Sequence, residues 1–403
     1  MFHAIAVSEV LLCAGASSSV FYLTWRQLAG KAGLTLFSSD DDSDLTNLRS
    51  LYGYNEHAFV STSEQKRIWR DADRKGAISY VERGSIWLVT GEPFANEEDL
   101  FKISRDFITF AREKRKIAVF VPSTERFAKS MTSLNMRIQK IGASPYFDLQ
   151  NWNPRGNCAK HLRVGINRAR RAGVVVEQVS KITDLFRSEV HELREGWLER
   201  RAAGIHFGWL FEVAPFENAA SKKYFSARDE HGELVGLLAA SPIPARDGWY
   251  LEDVLRSADA PSGTSDLLVF EALNTLKAEG AKLATLGTVP LSTIGDDDIS
   301  TKGILLNRAL EFTRRNLSTL YNFEGLRCFK SKFVPSWWES EYIIVSKGYL
   351  TAPRVGFAVV RTILDGSNFG LPWAMSSLRK VVFKGGSRKA PKSYSENSAI
   401  TNI

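Results

Sequence analysis

Apolar residues recur with two different periods along this chain. Short runs of β-branched and aromatic residues predict strands, and longer segments with apolar positions three or four residues apart predict helices. The first half starts with a hairpin of strands, continues with a helix that Asn96 should cap, and then has a buried strand that Pro122 should end. Its predicted elements are strands at 77–81, 85–90, 116–121 and 146–149, and a helix at 96–114.

The same order of elements recurs in the second half. A strand and a long helix come before a hairpin, and a further strand leads into a helix that Thr264 should cap and Gly280 should end. The predicted elements are strands at 174–179, 224–228, 234–241, 249–255 and 282–286, and helices at 183–203 and 264–279. This order predicts two successive mixed α/β units rather than one doubly wound sheet. No residue-level repeat accompanies it.

The two ends of the chain differ from this body. Segment 4–23 is apolar, but Ser8 and Glu9 interrupt it and no basic residues precede it, so it predicts a packed or interfacial helix. The alternatives are a weak single anchor and an artefact of the assigned start site. The acidic run 38–44 predicts a linker. Segment 355–364 is apolar, and the tail 379–392 carries six Lys or Arg and no acid. That tail either contacts an anionic membrane or is simply solvated.

Composition narrows the class of protein. With 403 residues, 44% of them hydrophobic and 24% charged, the chain has the make-up of an ordinary globular protein of two or three domains. Its 53 Lys and Arg against 45 Asp and Glu give a net charge of +8, which permits nucleic acid or an acidic membrane as a partner. The three cysteines are far apart and form no disulfide framework, so a reducing compartment is expected.

Several common catalytic motifs are missing from the sequence. There is no HExxH, and the six histidines never cluster at metal-ligand spacing. There is also no GxSxG elbow and no GxxxxGK[ST] loop. We therefore expect transfer chemistry that uses neither a metal nor a cofactor.

The densest basic run is KHLRVGINRARRAG at 160–173. On a helix its basic residues share one broad face, while Leu162, Ile166 and Ala169 point inward. Such a stripe suits a phosphate backbone, and the alternative is a solvated helix face. The outward residues are Lys160, Arg163, Asn167, Arg170 and Arg171, and a second basic cluster consists of Arg308, Arg314 and Arg315.

A second candidate site lies where the strand WYLEDVLR opens into a loop above a helix N-terminus. Asp253 and Arg256 are three residues apart there, at a place where binding sites are commonly built. The alternative is a plain Asp–Arg ion pair. An acetyl-CoA enzyme would need a [QR]xxGx[GA] loop at this point, and residues 256–263 do not supply it.

Two further segments make the sequence recognisable. LGTVPL at 286–291, YNFEGLRCFKSKFVPSWWE at 321–339 and then Tyr342 resemble the C-terminal catalytic domain of bacterial phosphatidylglycerol lysyltransferases, the multiple peptide resistance factor family. The resemblance covers about 53–345. It implies an α/β protein with two tandem acetyltransferase-like (GNAT) folds. The domains implied are an N-terminal segment at 1–45, a first GNAT-like domain at 46–155, a catalytic one at 156–347, and an apolar and basic tail at 348–403.

The resemblance also implies an activity, namely transfer of an amino acid from aminoacyl-tRNA to a lipid hydroxyl such as that of phosphatidylglycerol. The sequence shows no counterpart of the family's multi-helix flippase module, so we expect a peripheral synthase at the inner face of the cytoplasmic membrane. The alternatives are a tRNA-dependent ligase that adds amino acids to a peptidoglycan amine, and a non-catalytic module that binds tRNA or membrane. The amino acid, the acceptor and the oligomeric state stay open.

Site residues follow from matching the family's motifs. Asp253 and Arg256 match its Asp-x-x-Arg pair, Lys330 matches the lysine of its YK-x-KF motif, and Glu339 stands for the acid of P-x-W-E in a segment one residue longer. Asp253 would hold the aminoacyl ammonium or help to deprotonate the acceptor, and Arg256 would bind a phosphate. Lys330, with Lys332 nearby, would clamp the tRNA end or the leaving 3′-oxygen, and Glu339 would read the amino group. Substrate contacts are expected from Lys332, Tyr321, Gly325 and Gly287, and tRNA contacts from Lys160, Arg163, Arg170, Arg171, Arg314 and Arg315.

Overall fold

The strands and helices that the hydrophobic pattern predicts between residues 77 and 286 are all present and in the predicted order. They occur together with elements that the pattern does not predict, among them the strands Lys66–Arg70 and Trp337–Val345 and most of the strand Arg137–Asp148. The computed structural model describes residues 39–59, 66–200, 213–290, 299, 323–346 and 352–363. Residues 48–403 form one unit and the residues before them another. The strands are β1 Lys66–Arg70, β2 Gly76–Arg83, β3 Ile86–Thr90, β4 Phe94–Ala95, β5 Ile117–Thr124, β6 Arg137–Asp148, β7 Val175–Gln178, β8 Lys223–Arg228, β9 Leu234–Ile243, β10 Gly248–Arg256, β11 Leu283–Thr285, β12 Val289–Pro290 and β13 Trp337–Val345. The helices are α1 Ser39–Tyr52, α2 Glu97–Glu113, α3 Glu125–Ser130, α4 Lys160–Arg171, α5 Asp184–Arg200, α6 Thr264–Ala278, α7 Phe323–Ser331 and α8 Ala352–Ile363.

The two halves of the chain repeat one topology. In the first half β1, β2 and β3 form an antiparallel meander, and β3 then pairs with β5 in parallel after α2. In the second half β8, β9 and β10 form the meander, and β10 pairs with β11 in parallel after α6. A parallel pair needs a crossover connection, and a helix supplies it in each half. This repeat confirms the predicted mixed α/β class with two acetyltransferase-like folds.

The last strand of each half crosses into the other half, so that one sheet runs through the described part of the chain. Strand β13 lies between β5 and β6, and β6 in turn pairs with β11 and β12. Strands from both sides of the predicted boundary at 155 therefore belong to one sheet. The domain limits themselves stay predictions.

Aromatic and aliphatic side chains fill a core on each half. In the first half Phe107 of α2 packs among Tyr80, Trp87 and Phe120 on the sheet. In the second half α4 and α6 cover a larger core around Phe147 and the strands next to it. Each large apolar side chain buried in this way contributes roughly 1.5–3 kcal/mol before entropy is counted. The inward-facing positions predicted for α4, namely Leu162, Ile166 and Ala169, are all buried.

Some boundaries differ from the prediction. The acidic run at 38–44 is not a linker, since α1 begins at Ser39; carboxylates are favourable in the first turn of a helix, so an acidic run is also compatible with a helix start. Strand β5 continues through Pro122 to Thr124 because the pairing with β13 is irregular there, and a proline without an N–H donor is tolerated at such a bulge.

The predicted helix caps also differ. Asn96 precedes α2 but its side chain makes no capping hydrogen bond; three acidic residues in the first turn complement the helix dipole instead. The residue before α6 is Gly263, with φ at +94°, and the hydroxyl of Thr264 donates to the carbonyl of Pro261. A glycine suits this place because a Cβ would lie 2.0 Å from the carbonyl oxygen of Gly165 on α4.

The membrane-related segments are only partly described. Segment 4–23 and the tail 379–392 lie outside the described residues. Within the described ranges, no helix combines the length and the apolar character needed to cross a membrane. Helix α8, which covers most of the apolar segment 355–364, buries Val355 and Ala358 in a core cluster with residues of β2, β3, β5 and β13. Those two apolar residues are therefore used in packing.

Candidate active site

A polar surface lies on one face of the two central strands, β6 and β13. The register places Trp337 opposite Tyr146, Glu339 opposite Ser144, and Glu341 opposite Gly142. Alternate residues of a strand point to the same face, so these side chains share one face of the sheet. The rings of Tyr146 and Trp337 stack with centroids 5.6 Å apart, and Ser144 and Glu341 are fully buried. Polar groups in the middle of a sheet need specific partners.

Glu56 supplies the first of these partners from the short helical turn Glu56–Phe59. Its carboxylate accepts hydrogen bonds from the hydroxyls of Thr288 at 2.9 Å and Ser144 at 3.1 Å, and His57 Nε2 lies 3.4 Å away. Burial alone would raise the pKa of Glu56, but the imidazole of His57 and the charge of Lys330 hold that pKa below its usual value. Glu56 is therefore an ionised carboxylate in a buried place.

Lys330 comes to the same place from the end of α7. Its Nζ donates to the carbonyl oxygens of Gly287 at 2.7 Å and Thr288 at 3.0 Å. Burial lowers the pKa of Lys330 to about 7, although the charge of Glu56 acts in the opposite direction. Near neutral pH this lysine can hold or release a proton, which is a property of groups that act as catalytic acids and bases.

Gly287 shapes the loop that holds Lys330. Its φ is +76°, and a Cβ at this position would lie 2.4 Å from Cε2 and 2.9 Å from the hydroxyl oxygen of Tyr250. Only glycine accommodates both the left-handed backbone and this close ring. Gly287 was predicted to contact the substrate. In the structure its backbone also directs its own carbonyl oxygen to Lys330.

Glu339 and Arg246 form the outer part of the polar surface. Arg246 Nη2 donates to Glu339 Oε2 at 2.9 Å, and its guanidinium lies 4.3 Å from the ring centre of Tyr146 and 4.9 Å from that of Tyr54. These distances are those of cation–π contacts. Glu339, the predicted acid of the P-x-W-E motif, is therefore ion-paired with an arginine that also contacts two aromatic rings.

Several buried polar atoms of this surface have no hydrogen-bond partner among the described residues. They are the hydroxyl of Tyr146, Oε2 of Glu341 and Nη1 of Arg246. Burial, with the nearby charge of Glu56, raises the pKa of Tyr146 well above its usual value, so its hydroxyl keeps its proton and can donate it in a hydrogen bond. Unsatisfied buried groups are uncommon in native proteins and commonly mark places where a ligand or water binds.

Asp253 and Arg256 do not lie on one face. The pairing of β10 with β9 is regular from Asp253 to Arg256, so residues three apart point to opposite sides of the sheet. Asp253 is buried and acts electrostatically on Tyr224, on the α5 side. Arg256 acts instead on Asp266, which accepts hydrogen bonds from Lys332 Nζ at 2.8 and 3.0 Å. The structure therefore places Arg256 and Lys332 together around Asp266. The catalytic roles of Asp253 and Arg256 and the substrate contact of Lys332 stay predictions.

The basic face of α4 is exposed, as predicted. Arg171, Arg168, Asn167 and Val164 line an open surface pocket of about 310 Å³. Arg170 is already paired with Glu271 of α6, and Arg163 donates to the carbonyl of Gly156 at 2.7 Å. Lys160 is exposed at the first position of the helix.

The remaining predicted residues are only partly described. Gly325 lies on α7, half-buried, whereas Tyr321, Arg308, Arg314 and Arg315 fall outside the described residues.

Among the residues of this site that sequence reasoning missed are Glu56, His57, Ser144, Arg246 and Glu341. Glu341 was detectable, because in WWESE it is two residues beyond Glu339 and therefore on the same face of a strand. The other four carry no local signal. Their importance depends on pairing between strands that are far apart in sequence.

The fold and site define a class of protein: a mixed α/β protein of two acetyltransferase-like halves, with a buried carboxylate–lysine site beside the strands that the halves exchange. Residues 46–345 match the family described as "Phosphatidylglycerol lysyltransferase, C-terminal", which is most of the chain. The protein belongs to this family.

Known relatives agree with this assignment. A phosphatidylglycerol lysyltransferase of Bacillus subtilis (strain 168) is 22% identical over 321 residues, covering 79% of this chain and 37% of the relative. One of Staphylococcus aureus (strain MRSA252) is 22% identical over 299 residues, covering 73% of this chain and 34% of the relative. The chain thus spans little more than a third of the length of these relatives.

Solved structures show the same fold. L-PGS from Bacillus licheniformis superposes with a TM-score of 0.69 at 22% identity, over 80% of this chain and 96% of that one. The C-terminal DUF2156 domain from Agrobacterium fabrum, described as a putative lysylphosphatidylglycerol synthetase, superposes with a TM-score of 0.68 at 22% identity, over 81% and 99%.

Proposed function

We propose that this protein transfers an aminoacyl group from aminoacyl-tRNA to a hydroxyl group of a membrane lipid such as phosphatidylglycerol. The observation that carries the proposal is that the family match at 46–345 contains the whole buried site, from Glu56 through Lys330 to Glu341. The lipid acceptor further implies a peripheral position at the inner face of the cytoplasmic membrane.

The reaction exchanges one ester for another. The acceptor oxygen attacks the aminoacyl carbonyl carbon, a tetrahedral oxyanion forms, and the bond to the 3′-oxygen of the tRNA then breaks. The acceptor hydroxyl loses one proton and the leaving 3′-oxygen gains one, so no other reactant is needed. The enzyme must position the two oxygens, move that proton and stabilise the oxyanion.

Lys330 is suited to move the proton. As a neutral amine it has two hydrogens and one lone pair. The two hydrogens can remain on the carbonyls of Gly287 and Thr288, at 2.7 and 3.0 Å, so the lone pair is left to accept a proton. With a pKa of about 7, the same nitrogen can take the proton of the acceptor hydroxyl and return it to the 3′-oxygen.

The other groups divide into oxyanion and anion binding. The buried hydroxyl of Tyr146 keeps its proton and has no partner among the described residues, which suits a donor to the oxyanion. Arg256 and Lys332, on the α6 side, supply positive charge for a phosphate of either substrate. Asp253 lies on the α5 side of β10, opposite to Arg256, and its carboxylate would bind the aminoacyl ammonium.

The exposed face of α4 suits the tRNA backbone. Its arginines release condensed counterions when they contact phosphates, so binding should weaken steeply with salt. Arg168 and Arg171 border an open pocket and are the best placed of these residues.

The test is reconstitution of the transfer. The full chain is mixed with a set of radiolabelled aminoacyl-tRNAs and phosphatidylglycerol vesicles, and the lipid is extracted. We expect label in the organic phase, its loss after RNase treatment, and a loss of at least about 100-fold in rate for Lys330→Met, the typical contribution of a general acid–base. Lys102→Met, which changes an exposed lysine paired with Asp73, is the matched control and should keep the rate.

Three outcomes would contradict the proposal. In a parallel assay with a peptidoglycan precursor in place of the vesicles, label on a muropeptide would indicate a peptidoglycan ligase. Binding of tRNA without transfer would indicate a non-catalytic module. A lipid product that survives RNase in the presence of acetyl-CoA would indicate an ordinary acetyltransferase. Near wild-type single-turnover transfer by both Asp253→Asn and Arg256→Ala would remove those two residues from the mechanism.

A further inference from the structure

Ser144 lies between two buried carboxyl groups. Its Oγ is 3.1 Å from Oε1 of Glu56 and 3.1 Å from Oε1 of Glu341, and all three residues are at most 1% exposed. A serine hydroxyl has one hydrogen and can donate to only one of the two. The second contact is a hydrogen bond only if that carboxyl group carries a proton and donates it to Ser144. With a hydrogen bond at both contacts, one of the two acids carries a proton.

The surroundings decide which acid carries it. Glu56 also accepts from the hydroxyl of Thr288 at 2.9 Å, and His57 Nε2 is 3.4 Å from it. Glu341 has only Ser144, because its Oε2 has no hydrogen-bond partner in the described part of the chain. Donors and positive charge favour the ionised form, so Glu56 is the carboxylate and Glu341 is the acid.

The electrostatics of the site agree with this assignment. Burial and then the charges of Glu56 and Glu339 raise the pKa of Glu341 well above its usual value, whereas the pKa of Glu56 is held low. The titratable and charged groups that face this pair are His57, Lys330, Tyr146, Glu339, Arg246 and Glu92.

We propose that Glu341 is a neutral carboxylic acid at neutral pH, that it donates its proton to Ser144, and that Ser144 donates in turn to Glu56. This series of hydrogen bonds keeps a single negative charge opposite Lys330. Glu341 and Ser144 are thus positioning residues. A second carboxylate beside Glu56 would hold the proton on Lys330 more tightly and keep it from acting as a base. The catalytic part of this inference rests on the proposed function; the protonation of Glu341 does not.

Infrared spectroscopy of the full chain tests the protonation directly. At pH 7 in D₂O, the difference spectrum between wild type and Glu341→Gln should contain the carbonyl band of a protonated carboxylic acid, present only in the wild type. Glu92 is another buried acid with a raised pKa, and subtraction cancels its band because both proteins contain it. A difference spectrum with only carboxylate bands would overturn the proposal.

Ser144→Ala provides the second variant. It removes the acceptor of the Glu341 proton, so the acid band should persist but shift to higher frequency, as expected for an acid that loses a hydrogen bond. Ser144→Thr keeps a hydroxyl and should restore the wild-type frequency. If Ser144→Ala leaves the frequency of the acid band unchanged, Ser144 is not the acceptor of this proton.

The pH dependence of transfer tests the link to Lys330. The side-chain amide introduced by Glu341→Gln can donate to Ser144 as the acid does and adds no charge, so the limb of the pH profile assigned to Lys330 should stay at the same pH. Glu56→Gln removes the charge opposite Lys330 and should shift the limb assigned to Lys330 to lower pH. A shifted limb in Glu341→Gln would overturn the role of Glu341. An acid band without lipid product would contradict the proposed function alone.

Discussion

Replacing Gly287 by alanine tests whether the loop that holds Lys330 depends on glycine. A non-glycine residue in the left-handed region costs roughly 1–2 kcal/mol. The new Cβ would also lie 2.4 Å from Cε2 of Tyr250, a buried ring that has little room to move. Forced overpacking of this kind costs roughly 1–3 kcal/mol. Gly287→Ala should therefore lower the free energy of unfolding by about 2–5 kcal/mol.

A second glycine provides the matched control. Gly84 has φ at +61° and nothing within 4 Å of the position of a Cβ, so Gly84→Ala should lose only the backbone contribution. Urea denaturation of both variants measures the difference, which we expect to be about 1–3 kcal/mol. In a Tyr250→Ala background that difference should vanish. Equal losses for the two glycines, or a difference that persists without the tyrosine ring, would refute the reasoning.

Three further predictions concern charge. The pKa of Lys330 is about 7 in the folded protein and about 10.4 in an unfolded chain, so the unfolded state binds more protons between these values. The free energy of unfolding should therefore rise from pH 7 to about 10. Lys330→Met should flatten that rise in urea titrations. Arg246→Met should lower the free energy of unfolding by about 3–5 kcal/mol because it leaves Glu339 without its ion-pair partner. Adding Glu339→Gln to this variant should recover part of the loss. If the double variant recovers nothing, the ion pair does not stabilise the fold. Arg171→Ala should reduce the slope of log affinity for tRNA against log salt concentration by about 1. Arg170→Ala removes a residue already paired with a carboxylate and should change this slope less. The same slope in both variants would mean that tRNA binds elsewhere.

Local periodicity was a good guide to the elements and a poor guide to the site. The basic run at 160–173 forms a helix at Lys160–Arg171 with the predicted inward face, because the apolar spacing of a helix is contained within a few turns of sequence. The pair Asp253 and Arg256 shows the limit. Three residues bring side chains together on a helix but place them on opposite faces of a strand, and β10 is a strand.

The candidate site could be predicted in part. Lys330, Gly287 and Glu339 came from family motifs and lie on or beside the buried polar surface. Glu56 could not be found in this way, since its partners Ser144 and Thr288 are 88 and 232 positions away along the chain. No pattern within one segment reports a contact at that separation.

The sequence by itself determined most of the strands and helices, the exposed basic face of α4 and the membership of the chain in its family, because each of these depends on nearby residues or on contiguous motifs. It did not predict β1 or β13. Only the tertiary structure decided that β13 enters the sheet between β5 and β6. That insertion brings Glu341 to within 3.1 Å of Ser144, 197 positions away, and removes both from water. The protonation states on which the chemistry depends follow from this burial and these neighbours, which exist only in the folded chain.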